Sequence, residues 1–397
     1  MKKSQRILII SPFFSPNVGG VETHLDDLCT YLAEKRQDVQ VITYMSVTTR
    51  AKAPRNETKG SVQIHRVKWF ATGLFRRLEP YPPIEFLYLM PGLFVSCFFY
   101  LARHGKSVRI LHAHGLVAGF IAVFLGKFFR KRVVLSTHAV YRLGSRKTLG
   151  SVFKGILNRC DRILCLSNES KDELINAGVG KEKISVYTYW VDQRIFKPRE
   201  KRLVRRTHAL PEKFTVLFVG RLIDIKGADI VLEVARFFSD NAAFVFIGDG
   251  PLSPVIMQAS KKQANTVFVG RVDNKDLPDY YCAADVLVVP SRYAEGFGRV
   301  ILEALSCGTP VIGADCQGIR EAMDTTVGVF IKPDTQALRK ALNELITDKA
   351  LLSRLQSACR DFAEKRYSSR NGQLILEAYN DLPHDSASKL KKSIVEG

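Results

Sequence analysis

FTVLFVGRLIDIKGADIVLEVA, residues 214–235, reads as a strand, a glycine-bounded loop and a helix. Apolar residues, broken only by the β-branched Thr215, run over Phe214–Val219, as they do in a strand buried on both faces. Gly220 and Gly227 bracket the loop, and a helical apolar pattern starts at about Ala228. The same unit recurs downstream. Val245–Ile247, Thr266–Val269, Val286–Val289, Pro310–Ile312 and Gly328–Ile331 read as strands with helical stretches between them. Such alternation implies a parallel sheet covered on both faces.

Upstream lies a second copy of this pattern. Arg6–Ser11, Val39–Tyr44, Val62–Val67, Val108–Ala113, Arg132–Thr137, Ile163–Leu166 and Ile184–Tyr187 read as strands. Val21, Leu25, Leu28 and Leu32 recur at helical spacing, and Leu116–Phe129 reads as a helix. A chain of 397 residues exceeds one ordinary core. The expected layout is an α/β tandem of two Rossmann-like domains, 1–192 and 214–368. A basic, proline-containing linker spans 193–213, a C-terminal helix 369–382 and a loose tail 383–397.

Apolar residues make up 46% and charged residues 25%, which excludes disorder, collagen and coiled coil as the main state. The net charge of +20 is uneven: residues 1–192 hold 29 basic and 14 acidic side chains, the remainder 30 and 25. The first half is therefore expected to meet something anionic: nucleic acid, a phospholipid surface or a phosphorylated acceptor. Eight cysteines include no Cys-x-x-Cys pair, which points to a reducing compartment. The start, MKKSQRILII, has too short an apolar run for a signal peptide and reads as the first strand. FLYLMPGLFVSCFFYLA, 86–102, carries no charge and sits at the short limit for a membrane span. Pro91, Gly92 and Ser96 weaken it as a span, so a buried or interfacial helix is expected.

Three elements carry chemistry. Gly19–Gly20 falls between a strand loop and a helix, where backbone can approach a phosphate at the helix N-terminus. A tight turn would need the same glycines. The Walker and dinucleotide fingerprints are missing. Arg221 and Lys226 share one loop at the carboxyl end of a strand, where open α/β sheets bind ligands. Arg offers a bidentate fork to phosphate oxygens and Lys a point charge. Glu295-Gly-Phe-Gly-Arg-Val-Ile-Leu-Glu303 enters a helix with a carboxylate at each end. These carboxylates can accept from different hydroxyls of a polyol, or simply complement the helix dipole. His112 and His114 alternate on one strand face without a third metal ligand, so no metal is expected.

Together these elements resemble the retaining glycosyltransferases of family 4, with the GT-B fold. The resemblance rests on FFSPNVGGVETH at 13–24, HAHG at 112–115, STH at 136–138, VGRLIDIKG at 219–227, IGDGP at 247–251 and EGFGRVILEALSCGTPVI at 295–312. It implies two Rossmann-like domains facing across a cleft, with the C-terminal helix returning to the first. It implies that Gly19 and Gly20 bring backbone N–H to the donor diphosphate, which Arg221 and Lys226 neutralise. Glu295, with the N–H groups of Phe297 and Gly298, would hold the donor sugar. Val300 lies in the same element, and Glu303 would bind the ribose hydroxyls. Gly270, Arg271 and Val272 would lie against the base, and His138 beside the transferred sugar. No metal or cofactor is implied, because Arg221, Lys226 and helix N–H groups stabilise the departing diphosphate. Retention commonly uses a carboxylate nucleophile, for which no candidate stands out. The resemblance implies same-face attack, with the departing phosphate taking the acceptor's proton.

The first half would shape the acceptor site. Its stretch FIAVFLGKFFRKR, 120–132, mixes apolar residues with the cations Lys127, Arg130, Lys131 and Arg132, as interfacial helices do. The expected partners are a nucleotide sugar, a membrane lipid or lipid-linked acceptor and an anionic membrane surface. The expected location is peripheral, on the cytoplasmic membrane face. Within the family the pattern looks most like enzymes that glycosylate phosphatidylinositol or other membrane lipids. Nucleic-acid binding would want aromatic-interleaved basic stripes, which are missing. A nucleotide-sugar epimerase of the same fold and a donor-binding module without catalysis are the other readings. A phosphorylase would need a longer chain. The base, the sugar and the oligomeric state leave no mark in the side chains.

Overall fold

The computed structural model describes residues 6–17, 19–48, 51–70, 74–78, 81–138, 147–292 and 297–381. The chain divides into two compact units, Met1–Tyr187 with Arg370–Gly397, and Thr188–Ser369.

The first unit runs β1 (Arg6–Ile10), α1 (Gly20–Glu34), β2 (Val39–Tyr44), β3 (Asn56–Lys59), β4 (Val62–Val67), α2 (Leu74–Leu78), α3 (Pro82–His104), β5 (Val108–His114), α4 (Leu116–Phe129), β6 (Arg132–Ser136), α5 (Lys147–Arg159), β7 (Arg162–Cys165), α6 (Asn168–Asn176) and β8 (Ile184–Val186). Its sheet has the order β3-β4-β2-β1-β5-β6-β7-β8 and is parallel apart from the β3–β4 hairpin. β1 lies at the centre, and its Leu8, Ile9 and Ile10 are fully buried. Successive strands fill one side of it and then the other, so the order reverses between β1 and β5. Ligands of such sheets bind outside the carboxyl ends of the strands at that reversal.

The second unit runs α7 (Lys201–Thr207), β9 (Phe214–Val219), α8 (Ala228–Ala235), β10 (Ala242–Ile247), α9 (Ser253–Lys262), β11 (Thr266–Gly270), α10 (Leu277–Ala283), β12 (Val286–Val289), α11 (Arg299–Ser306), β13 (Val311–Ala314), α12 (Gln317–Ala322), β14 (Gly328–Ile331), α13 (Thr335–Thr347) and α14 (Lys349–Arg366). The sheet β11-β10-β9-β12-β13-β14 is wholly parallel and reverses between β9 and β12. The last element among the described residues is α15 (Gly372–Asn380), which packs in the first unit: Tyr379 is buried there with its hydroxyl 2.7 Å from His112 Nδ1.

Two boundaries differ from the sequence reading. The stretch read as a linker, 193–213, is built into the second unit and contains α7. Three of its cations pair with acids about eighty positions away: Lys201 and Arg205 both reach Asp285 at 2.7 Å, and Arg199 pairs with Asp279. Residues 188–192, assigned to the first domain, also belong to the second unit, where Trp190 and Val191 are buried. The tail from 383 lies outside the described residues.

The apolar stretch 86–102 falls inside α3, which is long and apolar enough to cross a membrane by length and composition. Leu89, Leu93, Cys97 and Leu101 turn one face into the core. Ile84, Leu87, Val95 and Phe99 stay exposed, as do Phe124 and Phe128 of α4, which packs beside α3. Among the cations read as one patch, Arg132 departs: it is half-buried and pairs with Asp161 at 2.8 Å.

Candidate functional site

In the second unit, the loop carrying Arg221 and Lys226 follows β9, and the loop reaching Gly298 follows β12. Both therefore emerge at the reversal of strand order. Backbone bonds stitch three neighbouring loops together. Gly220 N donates to Ile247 O at 3.0 Å, Gly248 N to Gly270 O at 2.8 Å, and Leu222 N to Asp249 O at 3.0 Å. A Cβ at Gly248 would stand 1.8 Å from Gly220 O, so IGDGP is glycine-rich because two backbones touch. Gly227 has φ 77, and a Cβ there would meet Pro290 O at 2.3 Å, which fixes the Lys226 end of the loop against the end of β12. On this frame Arg221 is exposed and Lys226 half-buried. Arg271 is exposed, with Nε 3.6 Å from Asp249, and Val272 is half-buried.

α11 starts at Arg299 with Gly298 as its N-cap and no side-chain cap. Its first-turn N–H groups are of the kind that anions engage. Phe297 is buried edge-on to Tyr189 at 5.8 Å, and Val300 is half-buried. Glu295 lies outside the described residues. Glu303, expected to bind ribose hydroxyls, is already engaged within the protein. It is 4% exposed, and both oxygens are occupied: Arg299 Nε donates to Oε1 at 3.0 Å and the Tyr281 hydroxyl to Oε2 at 2.8 Å. Burial raises its pKa above the usual carboxylate range, with Arg299 and Tyr281 opposing. A ribose hydroxyl would have to share this carboxylate through its remaining lone pairs.

In the first unit, Gly19 is the N-cap of α1 and Gly20 its first residue. A Cβ at Gly19 would meet Glu22 Oε2 at 2.4 Å, whereas one at Gly20 would meet nothing within 4 Å. The space over Gly20 is open for a ligand. Asn17 holds the preceding loop, its Oδ1 accepting from Val47 N at 3.1 Å and Thr48 N at 3.0 Å.

At the carboxyl ends of β5 and β6 four histidines gather. His114 Nδ1 lies 3.0 Å from His138 Nε2, with the rings 11° apart in plane. His24 of α1 lies 6.0 Å from His138 between centroids, and its Nε2 is 3.1 Å from the Tyr187 hydroxyl. His112 is held from both sides, Nδ1 at Tyr379 and Nε2 2.8 Å from Ser136 Oγ. Burial pushes the pKa of His112 and of His138 down to about 3, and that of His114 well below the usual value. All three are neutral near pH 7. Among the described residues no group of three or more His, Cys, Asp or Glu side chains is placed to hold a metal ion.

The sequence reading singled out His138 but missed His24 beside it, Tyr187 on His24 and Tyr379 on His112, and Tyr281 and Arg299 around Glu303. One signal was present: His24 sits on the apolar stripe of α1, four residues before Leu28.

Two family descriptions match the chain. Glycosyltransferase Family 4 covers residues 18–194, and Glycosyl transferases group 1 covers residues 200–366. A phosphatidylinositol N-acetylglucosaminyltransferase subunit of Saccharomyces cerevisiae is 24% identical over 402 residues, spanning 96% of this chain and 84% of that protein. A D-inositol 3-phosphate glycosyltransferase of Streptomyces bingchenggensis is 25% identical over 404 residues, spanning 92% and 86%. Among solved structures, HepE of Anabaena in complex with UDP matches at a TM-score of 0.73 and 19% identity, over 95% of this chain and all of that one. The two reversing sheets and this likeness establish the GT-B fold.

Proposed function

The chain belongs to the glycosyltransferases described as family 4 and group 1, and from that premise we propose that it moves a sugar, with retention, from a nucleoside-diphosphate sugar to an inositol hydroxyl of a membrane phospholipid. The observation that carries the donor half is the loop frame at the β9/β12 reversal, where Arg221 and Lys226 stand on backbone that glycine contacts hold rigid. Cleaving the sugar–phosphate bond leaves negative charge on the diphosphate. Two fixed cations and helix N–H groups stabilise that charge without a metal ion. Gly19 and Gly20 offer backbone N–H to a donor phosphate at the start of α1. Glu295, Phe297, Gly298 and Val300 serve the sugar, Arg271 and Val272 the base, and His138 a hydroxyl of the transferred sugar. Glu303 reaches the ribose while shared with Arg299 and Tyr281. The acceptor hydroxyl attacks from the face the diphosphate leaves, and the departing phosphate takes its proton.

The acceptor half draws on two relatives whose names specify phosphatidylinositol and inositol phosphate. The exposed apolar side chains of α3 and α4, flanked by the exposed Lys127 and Arg130, suit a peripheral position on an anionic leaflet. We place that leaflet on the cytoplasmic side.

The test is a transfer assay. The purified protein is mixed with UDP-, GDP- and ADP-sugars and vesicles containing phosphatidylinositol, with and without EDTA, and lipids are read by mass spectrometry. A glycosylated phosphatidylinositol with the donor's anomeric configuration, formed equally in EDTA, is expected. Free sugar from every donor with no glycolipid, or an epimerised nucleotide sugar, would overturn the acceptor assignment.

A further inference from the structure

The contact between His114 and His138 has a direction that can be worked out. The two nitrogens are 3.0 Å apart, so one carries a proton and the other accepts it. His114 Nε2 is buried and has no hydrogen-bond partner among the described residues. If His114 carried its proton there, an N–H would be stranded in the core. A buried N–H without a partner is rarer than an under-satisfied acceptor. The proton of His114 therefore sits on Nδ1 and is donated to His138 Nε2. With Nε2 accepting, neutral His138 must carry its own proton on Nδ1.

We propose that His114 is a positioning residue for sugar transfer: it locks His138 in the Nδ1–H tautomer and sets the ring plane from which His138 meets the sugar. This rests on the assignment of His138 to the transferred sugar. The geometry around the pair supports a fixed orientation. His114 is fully buried on β5, and the rings of His24 and His112 lie 6.5 Å and 4.2 Å from its own. His112 is immobilised by Tyr379 and Ser136, and His24 by Tyr187. Buried neutral imidazoles suit this arrangement, since a protonated His114 would need an acceptor at Nε2.

The pair can be tested by two readouts. Asparagine places an amide nitrogen where His114 Nδ1 stands, whereas glutamine places one where Nε2 stands. His114→Asn is expected to keep turnover of UDP-N-acetylglucosamine with phosphatidylinositol vesicles within about threefold of the parent, while His114→Gln and His114→Leu lose roughly tenfold or more in kcat. UDP affinity should be unchanged in all three. Equal losses in the Asn and Gln variants at equal Tm would overturn the proposal. The second readout needs no activity. Long-range nitrogen–proton correlation spectra of histidine-labelled protein should show His138 as Nδ1–H, and His114→Leu should abolish that preference. An Nε2–H signal for His138 in the parent protein would overturn the proposal directly. His138→Ala separates the two claims: full turnover in that variant would sink the role of His138, whatever tautomer the spectra report.

Discussion

The Tyr281 hydroxyl donates to Glu303 Oε2 at 2.8 Å inside the second unit, while Arg299 holds the other oxygen. The carboxylate that closes the Glu-x7-Glu spacing is thus a structural anchor. Removing it takes the carboxylate from a buried guanidinium that also donates to the neutral Trp190 carbonyl. Glu303→Ala is expected to cost about 3–5 kcal/mol of stability, as breaking a buried ion pair does. Tyr281→Phe should cost about 1.5–3 kcal/mol, the range for a hydrogen bond to a charged group. Urea unfolding measures both, and an unchanged midpoint in Glu303→Ala would contradict the anchor role.

Arg221 and Lys226 stand on the same rigid loop but differ in burial. Arg221→Ala and Lys226→Ala are each expected to weaken UDP binding by roughly tenfold, the loss of one charge-assisted contact. Both should leave Tm within a degree or two. Glu295→Ala should lower turnover far more than it lowers nucleotide affinity. Loss of nucleotide binding with turnover intact at saturation would move Glu295 away from the sugar.

The histidine cluster makes stability depend on pH in one direction. His112 and His138 have folded pKa values pushed down to about 3, against about 6.5 when unfolded. Below about pH 6.5 the unfolded chain binds protons that the folded chain refuses. Stability therefore falls as pH drops from 6.5 towards 3, by up to about 1.4 kcal/mol per pH unit for each histidine. Above pH 6.5 these groups contribute no slope. Urea titrations at pH 7.5, 6 and 5 should show the fall, and His112→Gln should flatten it. Equal slopes in the variant and parent would contradict the assignment.

Replacing Lys127, Arg130 and Lys131 by Gln should reduce partition onto anionic vesicles by roughly a hundredfold, at about 1 kcal/mol per basic residue. Phe99→Ser with Phe128→Ser should reduce partition onto neutral vesicles as well. Arg132→Ala belongs to a different class: its pairing with Asp161 predicts lost stability with partition retained. Cosedimentation with vesicles distinguishes the two.

Strands such as β1, β10 and β12 were legible because they are buried on both faces and read as apolar runs, whereas β4, VQIHRV, was legible from its alternation. β3, NETK at 56–59, carried no such signal: it is a polar edge strand, and its pairing with β4 follows from the turn at Gly60. Lys201 and Arg205 looked like linker charges because their acid, Asp285, is about eighty positions away. The glycine loops and Glu303 were legible from local spacing. The histidine cluster around His138 was not, since His24 and His114, with Tyr187 on His24 and Tyr379 on His112, come from separate elements that only the parallel sheet and the returning α15 bring together.

The central claim is a metal-independent nucleotide-sugar site in the second unit. Isothermal titration of the full chain with UDP, GDP and ADP, in EDTA and then in magnesium, tests it most directly. The account predicts saturable binding of one nucleoside diphosphate in EDTA, unchanged by magnesium and weakened in Arg221→Ala. Binding that appears only with magnesium, or that survives Arg221→Ala and Lys226→Ala together, would contradict it.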